Sequence, residues 1–316
     1  MQIGDVMPKT FRYSEIFGRT FQGEGHYTGV PTVWFRSWGC NFECAGFGQQ
    51  NPGDPSTYDL DYLKVNPDEY TSMRELPVFS KGCDSSYSWA KKFSHLAEQK
   101  SADEICEEIE SFMKNQWNPE GKFLHPKSKQ WTHLAFTGGE PMLAQTAMVE
   151  IMHAFKARDN VPKHVTVETN GTQEAREPFI RMVEQLQLSS EFGGMLSDNM
   201  GNPEWFWSIS PKLYASGEKW EKAIRPETVR TYFEISPMGQ LKYVVDGSDR
   251  CWQEVEEATR LYRQAGIPWP VWIMPVGADK EGQDEVAARI SEEAIDRGYN
   301  VAARVHTYVF GNVVGK

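Results

Sequence analysis

The chain has 316 residues, enough for one large α/β domain or two small ones and for a substantial buried core. Its 40% hydrophobic and 24% charged residues fit a globular enzyme. The balance of 33 basic and 44 acidic side chains, with no basic run, excludes phosphate-backbone binding as the main activity, since that affinity needs clustered Lys and Arg. No apolar run approaches the roughly 20 residues of a membrane span, and Met1–Asp5 lacks the charged start and apolar core of a signal peptide. Five cysteines, an odd number, point to a reducing compartment with thiols free or metal-bound. The expectation is therefore a cytoplasmic protein without a membrane or direct nucleic-acid partner.

In chain order, residues 12–25 read as a polar, glycine-rich segment. Thr32-Val33-Trp34-Phe35-Arg36-Ser37 has the β-branched and aromatic content of a first buried strand. It is followed directly by a loop, Gly39-Cys40-Asn41-Phe42-Glu43-Cys44. Residues 45–82 show no sustained period and are rich in Gly, Pro, Asp, Ser and Tyr, which reads as an insertion carrying one helical turn near Asp61–Val65. Ser101 and Glu104 have capping-box spacing ahead of a helix whose apolar face is Ile105, Ile109, Phe112 and Met113.

Further strands are expected at Trp131–Thr137, Val165–Glu168, Trp207–Ser210, Leu241–Val245, Val271–Met274 and Ala302–His306. Helices are expected at Gln145–Arg158, Glu174–Gln187, Asp249–Gln264 and Gln283–Arg297, with a second irregular insertion near 189–205. Strand–helix alternation predicts a mainly parallel sheet, closed or partly closed, in one domain over 1–316. The polar, glycine-bearing segments fall just after the strands, where ligands bind in parallel α/β folds.

Cys40 and Cys44 are spaced CxxxC, and no second close pair of Cys or His follows, so a four-ligand zinc site is not indicated. The slot three residues beyond Cys44 holds Phe47. A third thiolate must therefore come from elsewhere; Cys83, in the polar run Gly82-Cys83-Asp84-Ser85-Ser86-Tyr87-Ser88-Trp89, is favoured over Cys106 as the source. Cys106 and Cys251 lie with predicted helices and read as small buried hydrophobes, which is the plain reading for any cysteine here. Thr137-Gly138-Gly139-Glu140-Pro141 ends a strand with two glycines that allow close backbone approach to a ligand, or it is simply a turn before a helix.

With these residues in order, the chain resembles the radical S-adenosylmethionine (SAM) superfamily, and within it the 7-carboxy-7-deazaguanine synthase family. The resemblance runs from about Tyr13 to Tyr308. It is carried by Phe21-Gln22-Gly23-Glu24-Gly25, by Arg36 four residues before Cys40, by Cys83-Asp84-Ser85 and by Phe136-Thr137-Gly138-Gly139-Glu140-Pro141. Glu168-Thr169-Asn170-Gly171-Thr172, Ser210-Pro211-Lys212, Leu241-Lys242-Tyr243, Met274-Pro275 and Arg304-Val305-His306 extend it. It implies a partial, open TIM-like barrel of the radical SAM type, α/β with mainly parallel strands and two loop insertions.

The resemblance further implies a [4Fe-4S] cluster on Cys40, Cys44 and Cys83. SAM would lie against Gly82, Asp84, Gly139, Glu140, Ser210, Pro211, Lys212, Met274 and Pro275. The expected substrate, 6-carboxy-5,6,7,8-tetrahydropterin, would meet Phe21, Gln22, Gly23, Glu24, Arg36, Thr137 and His306. Mg²⁺ would take the hydroxyl of Ser85, where the family usually has threonine. Arg36 and Glu140 are the expected catalytic residues, a flavodoxin-like or ferredoxin-like protein the reductant, and a homodimer the assembly. A glycyl-radical activating enzyme and a non-catalytic iron–sulfur or zinc scaffold are the competing readings. His26, His95, His125, His133, His153 and His164 show no ligand-like spacing, and Trp205-Phe206-Trp207 reads as core or subunit interface.

Overall fold

A computed structural model of the chain describes residues 8–188, 203–278, 280–311 and 313–315. Nine strands form one sheet: β1 (Thr10–Phe21), β2 (Pro31–Ser37), β3 (Glu98–Ser101), β4 (His133–Gly138), β5 (His164–Thr169), β6 (Glu204–Ile209), β7 (Gly239–Val245), β8 (Val271–Pro275) and β9 (Asn300–Val301). Their spatial order is β3-β1-β2-β4-β5-β6-β7-β8-β9, so the sheet is not closed. β1 runs antiparallel to β2 and β3, and every pairing from β2 to β9 is parallel. The longer helices are α1 (Ala102–Met113), α2 (Gln145–Ala157), α3 (Glu177–Leu188), α4 (Pro226–Ile235), α5 (Asp249–Gln264), α6 (Lys280–Asp296) and α7 (Val305–Phe310). None of the described helices is long and apolar enough to cross a membrane.

The two-residue period of the strands sorts their side chains into two sets. Val33 and Phe35, Leu134 and Phe136, Val165 and Val167, Trp205 and Trp207, Leu241 and Tyr243, and Val271 and Ile273 enter the main apolar core. The alternate positions, including Trp34, Arg36, Thr137, Glu168, Lys242, Val244 and Met274, line one internal cavity. Register puts Arg36 beside Thr137 and Val244 beside Met274, so the cavity wall is continuous across strands.

β1 falls in a segment whose sequence reads as polar and glycine-rich, because Ser14 and Glu15 are buried there with Tyr13 and Ile16. A polar residue buried on a pairing strand breaks the alternation that marks strands in a sequence. The strand expected at Ala302–His306 is replaced by the short β9 and by α7. The Val, His and Tyr of α7 have strand-like propensity. The helix is fixed instead by docking, with Val305 N–H on Gly23 O at 3.0 Å and Phe310 against Phe21. α4 also had no counterpart among the expected elements, and residues 189–202 of the second expected insertion lie outside the described residues. Glu204 and Trp205, at the end of that stretch, belong to β6.

The stretch 45–82 contains the expected helical turn, at Asp61–Lys64. It is better organised than its sequence suggests. Met73, Leu76 and Phe79 pack with Tyr87, Ala90, Phe93 and Leu96 in a second small core. Asp61 Oδ2 accepts the backbone N–H groups of Ser80 and Lys81 at 3.1 and 3.0 Å. At its base, Gly82 N–H donates to Phe47 O at 2.7 Å.

The capping box at the start of α1 is present: Ser101 Oγ accepts from Glu104 N–H, and Glu104 Oε2 accepts from Ser101 N–H at 2.8 Å. Ser101→Ala is expected to lower stability by about 1 kcal/mol in urea unfolding, with an unchanged denaturant slope.

Candidate active site

The cavity holds about 450 Å³ and opens at the C-terminal ends of the parallel strands. Its rim comes from the segments that follow β2, β4, β5, β6 and β8: Cys40 to Cys44, Gly138 and Gly139, Asn170, Ser210 and Lys212, and Val276 to Ala278. Among the expected site residues, Cys40, Cys44, Cys83, Ser85, Gly82, Asp84, Gly139, Ser210, Lys212, Met274, Pro275, Phe21, Gln22, Gly23, Glu24, Arg36, Thr137 and His306 all line it. Glu140 and Pro211 are buried behind that lining.

The hydrogen bond at the base of the insertion explains how a cysteine 39 positions after Cys44 reaches the same cavity. Phe47 occupies the slot where a contiguous motif would carry its third cysteine, and its carbonyl is bonded to the residue just before Cys83. The intervening chain leaves and returns at one point. Cys44 sits in the left-handed region at φ 47°, uncommon for a residue with a side chain. Glu218 holds that strained loop: its Oε1 accepts the N–H groups of both Glu43 and Cys44 at 2.9 Å.

Cys44 is buried with Phe42 and Ala223, and the half-buried Cys40, Cys83 and Phe47 pack against them. Burial pushes Cys40 up to about 12 and, with the Asp84 carboxylate, Cys83 up to about 11. Cys44 is raised well above its ordinary value by burial. Counter-influences are built in. Phe42 N–H donates to Cys40 Sγ at 3.4 Å, and Lys212 favours the charged form of all three. The buried Trp89 indole N–H has no partner of its own and lies close enough to Cys83 to favour its thiolate. Cys106 and Cys251 are fully buried in the main core, as their sequence setting suggests.

Gly139 packs its backbone against the cysteine loop: a Cβ there would stand 2.3 Å from Gly39 O and 2.8 Å from Cys40 Cβ. Glu140, just beyond, has both carboxylate oxygens engaged. Oε1 accepts from Met142 N–H at 2.9 Å and from the Thr169 hydroxyl at 2.6 Å, and Oε2 from Asn170 N–H at 2.8 Å. It thereby joins the turn after β4 to the turn after β5. Asn170 continues outward to Asn41 in the cysteine loop at 2.9 Å.

After β1 the chain turns into the barrel. Gln22 Nε2 donates to Glu168 Oε1 at 2.9 Å, and Glu24 pairs with Lys242. Gly23 passes so close to His306 that a Cβ would lie 1.9 Å from Nδ1. Deeper, Tyr27 meets His133, His164 and Phe206 edge-on or tilted, and His133 stacks on His164 at 4.5 Å. Burial, with His164 beside it, pushes His133 down to about 3, so it packs there as a neutral ring. No group of three or more His, Cys, Asp or Glu among the described residues is close enough to enclose a metal ion.

The cavity's charges alternate in sign around its wall. Lys242 pairs with Glu24 and lies 3.8 Å from Glu168, while Arg304 reaches Glu24 at 3.1 Å and Asp84 at 3.0 Å. Asp84 accepts from the Ser85 hydroxyl at 3.1 Å, Ser85 Oγ accepts from Arg36 Nη1 at 3.2 Å, and Arg36 Nε pairs with Glu15 at 2.8 Å. Burial alone would raise Glu24, but Lys242 and Arg304 hold its carboxyl well below the usual carboxylate range. His306 is kept below the ordinary imidazole value, chiefly by burial. Glu168, Lys242, Arg304 and Glu218 carry no assigned role in the sequence reading. A lysine inside the apolar strand Leu241–Val245 was the available signal, since Lys is almost never buried unpaired.

No protein-family model matches the chain. Four curated proteins do, all named 7-carboxy-7-deazaguanine synthase. The protein from Pyrobaculum aerophilum is 28% identical over 186 residues, 58% of this chain and 68% of its own length. That from Rhodopirellula baltica is 29% identical over 203 residues, 62% and 71% of the two chains. The Halobacterium salinarum protein aligns at 24% identity over 307 residues, 93% of this chain and 88% of its own.

Glu24→Gln tests the charge belt. A carboxyl held below its unfolded value stabilises the fold above the carboxylate range, and that contribution is lost as pH falls. The variant is expected to lose about 3 kcal/mol at pH 7, because Lys242 and Arg304 keep buried charge without a full partner. Thermal melts should show its gap to the wild type narrowing below about pH 4. The resemblance read from the motifs is thus shared by four sequence relatives, each of which bears the name 7-carboxy-7-deazaguanine synthase.

Proposed function

We propose that this chain is a radical SAM enzyme that contracts the ring of 6-carboxy-5,6,7,8-tetrahydropterin to 7-carboxy-7-deazaguanine with loss of ammonia. One observation carries the reading: the bond between Phe47 O and Gly82 N–H returns Cys83 to Cys44, so that three thiols and the charged belt share one cavity. The names of the four relatives support it.

The donor set fits a [4Fe-4S] cluster. Three cysteines leave one iron free for a second ligand, a buried N–H is available to a Cys83 sulfur, and Phe42 N–H already donates to Cys40. Because free thiols here hold their protons, loading would release them. Gly139, Ser210 and Lys212 would receive SAM on the rim, with Gly82, Asp84, Met274 and Pro275 as further walls. When bound, the cluster and SAM would supply one-electron cleavage to a radical that takes hydrogen from the substrate, the electron coming from a flavodoxin-like or ferredoxin-like donor.

The protein's own contribution is orientation and exclusion of water. Arg36 is anchored at Nε by Glu15, which fixes its fork for the substrate carboxylate. Glu24, kept ionised, would accept from the pterin amino and ring N–H groups, and Gln22, Thr137 and His306 would complete the pocket. Ser85 and Asp84 provide oxygen donors of the kind Mg²⁺ prefers. Arg36 turning from Ser85 to the substrate carboxylate would free that hydroxyl. Glu140 would act by holding the turns after β4 and β5 in place, since its oxygens are engaged there.

Anaerobically reconstituted protein, supplied with SAM, reductant, Mg²⁺ and the carboxypterin, is expected to form 7-carboxy-7-deazaguanine; absence of product overturns the assignment. Iron and sulfide content should collapse in Cys83→Ala and persist in Cys106→Ala, and the reverse would reassign the third ligand. Arg36→Lys, which keeps charge but loses the fork, should raise KM about tenfold or more.

A further inference from the structure

We propose that Arg304 is a positioning residue that aims Glu24 at the substrate and fastens the Cys83 segment to the barrel. The aim at the substrate rests on the function proposed above; the fastening does not. The guanidinium spends each of its nitrogens on a different segment. Nε meets Glu24 Oε1 at 3.1 Å, in the turn after β1. Nη2 meets Asp84 Oδ2 at 3.0 Å, at the end of the insertion. Nη1 donates to Gly277 O at 3.0 Å, after β8. The Arg304 side chain is only 15% exposed and Glu24 is likewise shielded, whereas Asp84 is reached by solvent on its outer side.

The neighbours make this bridge specific. Glu24 gives its other oxygen to Lys242, and Asp84 its other oxygen to the Ser85 hydroxyl. Arg304 therefore joins two hydrogen-bonded runs, one from β7 and one reaching Arg36 and Glu15 on β2 and β1. Without the cation, two carboxylates would face each other across the cavity, and each raises the other's cost of ionisation. Glu24 would then turn or take up a proton, and an acceptor-only carboxylate would be lost from the pocket. The segment just after Cys83 would lose its tie to the barrel wall. Lysine cannot replace this arginine, because an ammonium is a point charge and cannot span three acceptors in one plane.

Arg304→Lys and Arg304→Gln test the assignment by two independent readouts. In carboxypterin turnover, both variants should raise KM about tenfold or more, the cost of a charge-assisted hydrogen bond, with kcat within about threefold and iron content unchanged. In hydrogen exchange of the metal-free chain, segments 22–27 and 82–88 should exchange faster than in the wild type, while α1 stays unchanged. Unaltered exchange in both segments overturns the clamp, and so does a fall in kcat with KM unmoved. If the wild type itself makes no product, the proposed function fails, and the exchange comparison still decides the structural half of the assignment. Should Arg304→Gln not fold, Arg304→Lys, which preserves the charge, carries the test.

Discussion

Charge buried inside a protein is stable only when it is paired, and the cavity on this sheet is built around that constraint. Glu24, Lys242, Arg304, Asp84, Arg36 and Glu15 lie within the cavity wall or against it, and each has an opposite partner within 3.1 Å. Such pairs contribute little net stability after desolvation, whereas a broken pair is costly. Their presence is better explained by what a fixed carboxylate and a fixed guanidinium can recognise. An arginine anchored by Glu15 and a glutamate anchored by two cations present one positive and one negative point at set places in a dry pocket.

A second constraint concerns loop closure. Thirty-eight residues between Cys44 and Cys83 could have carried the third thiol anywhere, and the entropic cost of joining the loop ends grows only slowly with length. The bond of Gly82 to Phe47 meets that cost at the base, and Asp61 does so again at Ser80 and Lys81. The inserted stretch adds a core of its own, through Met73, Leu76 and Phe79. The ends of the stretch, Phe47 and Gly48 with Ser80 and Gly82, line the cavity, while Met73, Leu76 and Phe79 pack away from it.

Legibility in the sequence followed the physics of each element. The outward strand faces, Val33 and Phe35 or Val165 and Val167, are apolar and were readable, as were the capping box of α1 and the full extent of α5. Cys83 was expected beside Cys40 and Cys44 because a polar setting is a poor home for an inert thiol, and it lines the same cavity as they do. β1 was hidden by its buried Ser14 and Glu15, and α7 by β-branched and aromatic residues whose helix is set by contact with Gly23 and Phe21. Arg304 stood in a motif that carried the resemblance but had no role assigned to it, and Glu218 had no local signal. Each acts on residues far away in sequence, Arg304 on Asp84 and Glu218 on Cys44, and only the fold brings them together.

The two ends of the parallel strands differ in character. At the N-terminal ends of β4, β5 and β6, Tyr27, His133, His164 and Phe206 close the interior with stacked and edge-on rings. His133, held neutral by burial, adds no charge that would draw water into that floor. The charged groups line the cavity whose rim is formed by the cysteine loop, Gly139 and Lys212. Glu24 and Arg36 line the same cavity as the cysteine loop, Gly139 and Lys212, so the charged groups and the three thiols face one space.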